Sequence, residues 1–130
     1  MMKYKMTAET KEMFGITLHR VKYENGEIGG WLEKESNLDQ DGDAWVYGNA
    51  RVYGDALVSG NADWMLAGPI GSRDDFTTIF REKDRLAVSC GCFYGSLDKF
   101  AEQVDKNHGD NEHGKAYRAM IDMVRIRFGA

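Results

Sequence analysis

The chain has 130 residues, 15 of them glycine, with two cysteines and a formal net charge of −4. That length suits one domain, burying about two-thirds of its unfolded surface, and two thiols are too few for a disulfide-stapled secreted scaffold. The opening "MMKYKMTAET" has no apolar leader and the chain contains no long apolar run, so no membrane span is expected and the cytoplasm is the expected compartment. Residues 1–35 carry six basic and six acidic groups and residues 72–130 carry ten of each, whereas 36–71 set Arg51 alone against five aspartates. The net charge therefore sits in the middle of the chain. It argues against docking that surface on nucleic-acid phosphates and is compatible with a basic protein partner.

The N-terminal segment reads as a strand over "KYKM", a short helical turn opened by Thr7–Thr10, and a second strand over "ITLHRVKY", with Ile16, Leu18 and Val21 as core contacts. Asn25-Gly26 marks a turn. Trp31 and Leu32 are expected to pack on the central segment, 36–71.

Residues 41–64, "DGDAWVYGNARVYGDALVSGNADW", repeat a six-residue word with Gly42, Gly48, Gly54 and Gly60 at its start. Six is a multiple of the strand period of two, so side chains keep their sense from word to word. Ala44, Val46, Ala50, Val52, Ala56, Val58, Ala62 and Trp64 share one side; Trp45, Tyr47, Arg51, Tyr53, Leu57, Ser59, Asp63 and Met65 share the other. Gly-Asp and Gly-Asn tolerate positive φ and permit a sharp corner between words. A β-meander of hairpins would use these pairs as type I′ turns, but strands of four residues argue against it. The pattern of a small residue, then an aliphatic one two places later, then a turn resembles the hexapeptide-repeat, left-handed β-helix family. That resemblance implies a three-sided parallel coil of about eighteen residues per turn, with Val46 under Trp64, Val52 under Ile70 and Gln40 under Val58. Less than two coils and no histidine over 36–71 leave no basis for the acyl transfer for which longer members are known.

After Pro69, "FTTIFR", "EKDR" and "LAVSCGCF" read as a β-hairpin. Ser96 is the expected N-cap of a helix over 97–107, with Leu97, Phe100, Ala101 and Val104 as its apolar stripe, and a second helix over about 114–127 buries Tyr117, Met120, Ile121, Val124 and Phe128. The expected fold is thus mixed α/β in a single domain, 1–130. A short left-handed parallel β-helix of about two coils (36–71) sits between an N-terminal β cap (1–35) and a C-terminal β-hairpin with two α-helices (72–130).

The sequence supports three functional readings. The outward Trp45, Tyr47, Tyr53 and Leu57 form an interface for a second copy, as dimer or trimer, or for another protein, where the C-terminal helices do not cover the three rings within the subunit. Alternatively Arg73, Asp74, Cys90, Cys92 and His108 frame a site for a nucleotide or small anion, Arg73 offering a forked donor to carboxylate or phosphate. In a third reading Cys90 and Cys92 with His108 and His113 hold zinc or supply a nucleophile; C-x-C in an extended strand is poor spacing for zinc, and no third group orients a base. No metal, cofactor, catalytic residue or nucleic-acid partner is expected in the favoured reading. Lys115, Arg118 and Arg125 on the second helix, with Asp122 among them, read as a salt-bridged surface.

Nearly the whole chain is similar to small bacteriophage and prophage proteins, on the phrases "MKYKMTAETKEMFGITLHRV", "GGWLEKESNL", "GNARVYGDA" and "GPIGSRDDFTTIF…SCGCFYGSLDKF". The resemblance implies a non-enzymatic accessory protein acting in the bacterial host, engaging a host protein and inhibiting host defence, or sequestering a signalling nucleotide.

Overall fold

The computed structural model of the chain describes residues 2–91 and 93–129. Its first sheet runs β1 (Tyr4–Met13), β2 (Ile16–Tyr23), β3 (Ile28–Leu32) and β4 (Arg51–Val52), neighbours in that order. The first two pairings are antiparallel and the last is parallel. The second sheet is an antiparallel meander of β5 (Trp64–Ile70), β6 (Asp75–Arg81), β7 (Leu86–Cys90) and β8 (Phe93–Ser96). Helices α1 (Leu97–His108) and α2 (Glu112–Phe128) complete the chain. Among the described residues no helix is long and apolar enough to cross a membrane.

Alternation along the strands sorts the side chains into layers. From the second sheet, Trp64, Phe80 and Ala87 join Val21, Tyr23, Leu32 and the repeat residues Ala44, Val46, Ala50, Val52, Ala56 and Val58 in one core. Their strand neighbours Ile79, Leu86 and Val88 turn the other way, onto Leu97, Phe100 and Val104 of α1 and Tyr117, Met120, Ile121, Val124 and Phe128 of α2. The second sheet therefore lies between the repeat and the helices. A third, smaller cluster of Met13, Leu18, Trp31 and Tyr53 occupies the other face of the first sheet.

The expected left-handed parallel β-helix is not formed. Both sheets are largely antiparallel, and the repeat contributes one two-residue strand, Arg51–Val52, a parallel bridge between Leu38 and Val58, and an antiparallel bridge between Ala56 and Glu82. The parallel partners Trp31–Arg51, Leu32–Val52 and Leu38–Val58 stand twenty residues apart, not eighteen, so these words pair with β3 and its exit. Between words that are not consecutive, the backbone contact among the described residues is a single bond from Ala44 N–H to the Ser59 carbonyl at 2.9 Å, with no ladder. Ile70 pairs with Asp75 in the antiparallel β5–β6 hairpin, which removes it from any stack on Val52. The reason lies in β3. A Cβ on Gly30 would stand 2.7 Å from Val46 Cγ1 and 2.9 Å from the Ala50 carbonyl, and only the missing side chain lets the repeat backbone come so close. Val46 and Ala50 carbonyls accept from Gly30 and Trp31 N–H at 3.0 and 2.9 Å. Side chains complete the attachment: Lys3 Nζ donates to the carbonyls of Gly42 and Ala44, Tyr23 donates to that of Val46 at 2.8 Å, and the Gln40 amide pairs with both backbone groups of Tyr4.

The expected in-and-out sense of the repeat is visible in burial, with Ala62 exposed as a departure on the inward set and Tyr53 buried on the outward set. Thr7–Thr10 form no helical turn. They belong to β1, where the pairing shifts between Met6 and Thr10 as four residues of β1 cross two of β2. Both helices begin at side-chain caps, Ser96 accepting from Lys99 N–H at 3.2 Å and Asn111 from Gly114 N–H at 2.8 Å.

Candidate functional site

Of the four side chains expected at an interface, the fold leaves two in the open. Trp45 stacks on Tyr23 with centroids 3.8 Å apart and planes 13° from parallel. Tyr53 is enclosed, packed against Tyr94 and Phe80 of the second sheet at 4.9 and 6.0 Å. Tyr47 and Leu57 remain 55% and 53% exposed. They lie in different depressions. Leu57 lines a groove with Lys34, Ser36, Asp55, Lys83 and Asp84.

Tyr47 stands in a cleft of about 410 Å³ with Trp45, Asn61, Trp64, Met65 and Leu66. Its ring meets Trp64 edge-on, 5.1 Å between centroids. Alternation sets Trp45 and Tyr47 on either side of the buried Val46, and Gly48, at φ +62°, turns the chain directly after Tyr47. Strand β5 closes the far wall. The Asn61 side chain accepts from Trp45 N–H at 3.3 Å, and Arg127 reaches the Asn61 carbonyl at 3.5 Å on the rim. Three rings and the flexible side chains of Met65 and Leu66 give the cleft an apolar interior within a polar rim. Sequence does not single out Trp64, Met65 and Leu66 for this wall, because alternation places Trp64 inside and the strand that carries all three continues the spacing of the repeat.

The residues of the alternative site are partly brought together. Cys90 and His108 line one cleft of about 290 Å³ with Phe93, Phe100, Asn107 and Tyr117, between the second sheet and the helices. Cys90 Sγ accepts from Thr77 Oγ1 at 3.2 Å and lies 3.9 Å from the Tyr117 hydroxyl. His108 stacks on Tyr117 at 5.6 Å and meets His113 edge-on at 5.8 Å. Burial first, then the neighbouring Cys90 and Asp75, pushes the Tyr117 hydroxyl up to about 12. Arg73 and Asp74 are exposed in the turn between β5 and β6, which touches this cleft through Gly71: a Cβ there would meet the Tyr117 hydroxyl oxygen at 2.0 Å. Cys92 lies outside the described residues. Among those described, no group of three or more His, Cys, Asp and Glu side chains is arranged to hold a metal.

Two of the basic residues of α2 are engaged by α1 and the interhelical turn. Arg118 binds Asp105, Asp110 and the Gly109 carbonyl, and Arg125 binds Asp98. Where the repeat meets the second sheet, buried Glu82 accepts from the Tyr94 hydroxyl and from Arg85 Nε at 2.6 Å. Burial and this carboxylate push the Tyr94 hydroxyl up to about 12. No family model, curated protein or solved structure matches the chain.

Proposed function

We propose that this protein is a non-enzymatic accessory binding protein that seats an apolar side chain of a host protein in the Tyr47 cleft. The observation that carries the reading is the Tyr47 ring, more than half exposed at the mouth of a cleft walled by Trp45, Trp64, Met65 and Leu66. Exposed aromatics backed by apolar walls are where interface energy concentrates. Asp39, Asp41, Asp43 and Asp55 stand along the same repeat, which favours a partner with Lys or Arg around its anchor. The phage-type resemblance adds the setting, the bacterial cytoplasm, and the consequence, that the partner is blocked.

The test compares wild type with Tyr47→Ala as bait in host lysate, with captured proteins identified by mass spectrometry and affinity measured on the purified partner. Truncating a central aromatic anchor costs about 2 kcal/mol, or roughly thirtyfold in Kd, while the circular dichroism spectrum stays unchanged. A captured set identical for both baits overturns the reading. So does self-association lost in Tyr47→Ala, which would make a second copy the occupant.

A further inference from the structure

The face of the first sheet that turns away from the repeat gathers positive charge. In β2, Leu18 and Arg20 (opposite Trp31) lie on that face and Val21 and Tyr23 on the other, which places Lys22, between those two, on the face of Leu18 across the register shift at Arg20–Lys22. Pairing adds Lys5 directly opposite Lys22, Lys11 opposite Leu18, Trp31 opposite Arg20, and Arg51 beside Trp31. Five cations from three separate strands thus occupy one side. Like charges directly opposite each other cost stability, and Lys5–Lys22 is such a pair.

Two of them are held by one ring. Trp31, only 5% exposed, has Lys11 Nζ and the Arg20 guanidinium each 4.9 Å from its centroid, close enough for both to be held by its π face. Arg51 lies against the Met13 sulfur at 3.4 Å instead of a carboxylate. Arg20 Nε is enclosed and has no hydrogen-bond partner among the described residues. None of the five forms a salt bridge among those residues, whereas Arg81, Arg85, Arg118 and Arg125 of the C-terminal half all do. The carboxylates of Glu9 and Asp75 act on Lys11 from longer range; burial, Arg51 and Arg20 outweigh them and lower its ammonium pKa.

A solvated basic face would spread its charges and answer them with carboxylates. Here Lys11 and Arg20 are held against a buried ring, Arg51 against a thioether, and none of the five is in a salt bridge among the described residues. We propose that the sheet face bearing Lys5, Lys11, Arg20, Lys22 and Arg51 is a phosphoryl-binding site for a multivalent phosphate anion. The forked donors of two guanidiniums match phosphate oxygens. Trp31 is already covered by its cations, so the site reads charge and not a stacked base.

Calorimetric titration with sodium tripolyphosphate at low ionic strength tests this, with a twelve-residue oligothymidylate as the phosphodiester probe. Binding weakened at least tenfold in Arg20→Gln and in Lys11→Gln, unchanged in Lys115→Gln, and lost on raising the salt, is the expected result. Saturation by tripolyphosphate at one per chain identifies a small polyphosphate as the ligand type; binding confined to the oligonucleotide identifies a strand. Thermal unfolding without anion should show Lys11→Gln at least as stable as wild type, which separates lost binding from lost folding. Failure of both probes, or equal binding by wild type and both variants, overturns the proposal. The Tyr47 cleft lies elsewhere on the molecule, and its test is unaffected by either result.

Discussion

Asn37 is a fully buried amide at the junction between the first sheet and the repeat. Its Oδ1 accepts from Lys34 N–H at 3.0 Å, and its Nδ2 donates to the carbonyls of Gly54 and Ala56 at 3.1 and 3.3 Å. Asn37→Ala removes all three bonds. The groups of Lys34 and Gly54 lie at partly buried positions, where water replaces much of what is lost, at about 0.5–1 kcal/mol each. The bond to the Ala56 carbonyl is enclosed, and leaving that oxygen unpaired costs about 1–3 kcal/mol. The expected loss is about 3 kcal/mol, a large share of the 5–15 kcal/mol typical of a folded domain, and a fall in Tm of about 10 °C. Urea unfolding followed by tryptophan fluorescence and circular dichroism measures it. Asn37→Asp, nearly the same shape, places a carboxylate oxygen against two carbonyls and should be at least as damaging at pH 7. A loss below about 1 kcal/mol in Asn37→Ala at unchanged m-value would show that the repeat is not held at this junction by the amide.

Two further outcomes are expected. Tyr94 and Tyr117 have hydroxyls raised from 10.0 to about 12, chiefly by burial; the folded state therefore holds protons that the unfolded chain has released, and stability intact below pH 10 is lost as pH rises towards 12. Urea midpoints and tyrosinate absorbance across that window check this, and Tyr117→Phe should flatten the decline; midpoints constant through the window would refute it. In Gly42→Ala the new Cβ would fall 2.0 Å from the Ser59 carbonyl oxygen, which also accepts from Ala44 N–H at 2.9 Å. Backbone must shift, and a stability loss of about 2–3 kcal/mol in the same urea assay is the expected reading.

The elements most legible in sequence are those whose own side chains decide them. Strand β2 and both helices carry their period and their caps locally, and the structure places them within a few residues of the expected bounds. The β6–β7 hairpin is also readable, but its partners are not. In β5, "WMLAGPI" continues the spacing of the repeat and so conceals an antiparallel strand, and β8 is four residues long with a glycine inside it. The larger error concerns the neighbours of the repeat. A six-residue period fixes which side chains point inward, and these largely do; it says nothing of whether the neighbouring backbone is another word or a strand from elsewhere. Gly29-Gly30 opens that place to β3. The site is half legible for a related reason: exposed Tyr47 follows from alternation, whereas the cover over Tyr53 comes from Tyr94, forty-one positions later, and the cations around Trp31 meet only through pairing of β1, β2, β3 and β4.

Phe80 and Ile79 are chain neighbours whose side chains enter different cores. Strand β6 is therefore a party wall, and neither compartment can be vacated without exposing one of its faces. Detaching the helices would uncover Ile79, Leu86 and Val88; detaching the repeat would uncover Phe80, Trp64 and Ala87. The central amides of β6 and β7 should accordingly be the last to exchange with deuterated solvent, and should do so only through global opening. The outer turns of α2 and the Phe14–Gly15 hairpin tip, each backed by one compartment at most, should exchange far earlier. Cooperativity in this chain then resides in a shared wall and not in the repeated words that dominate its sequence.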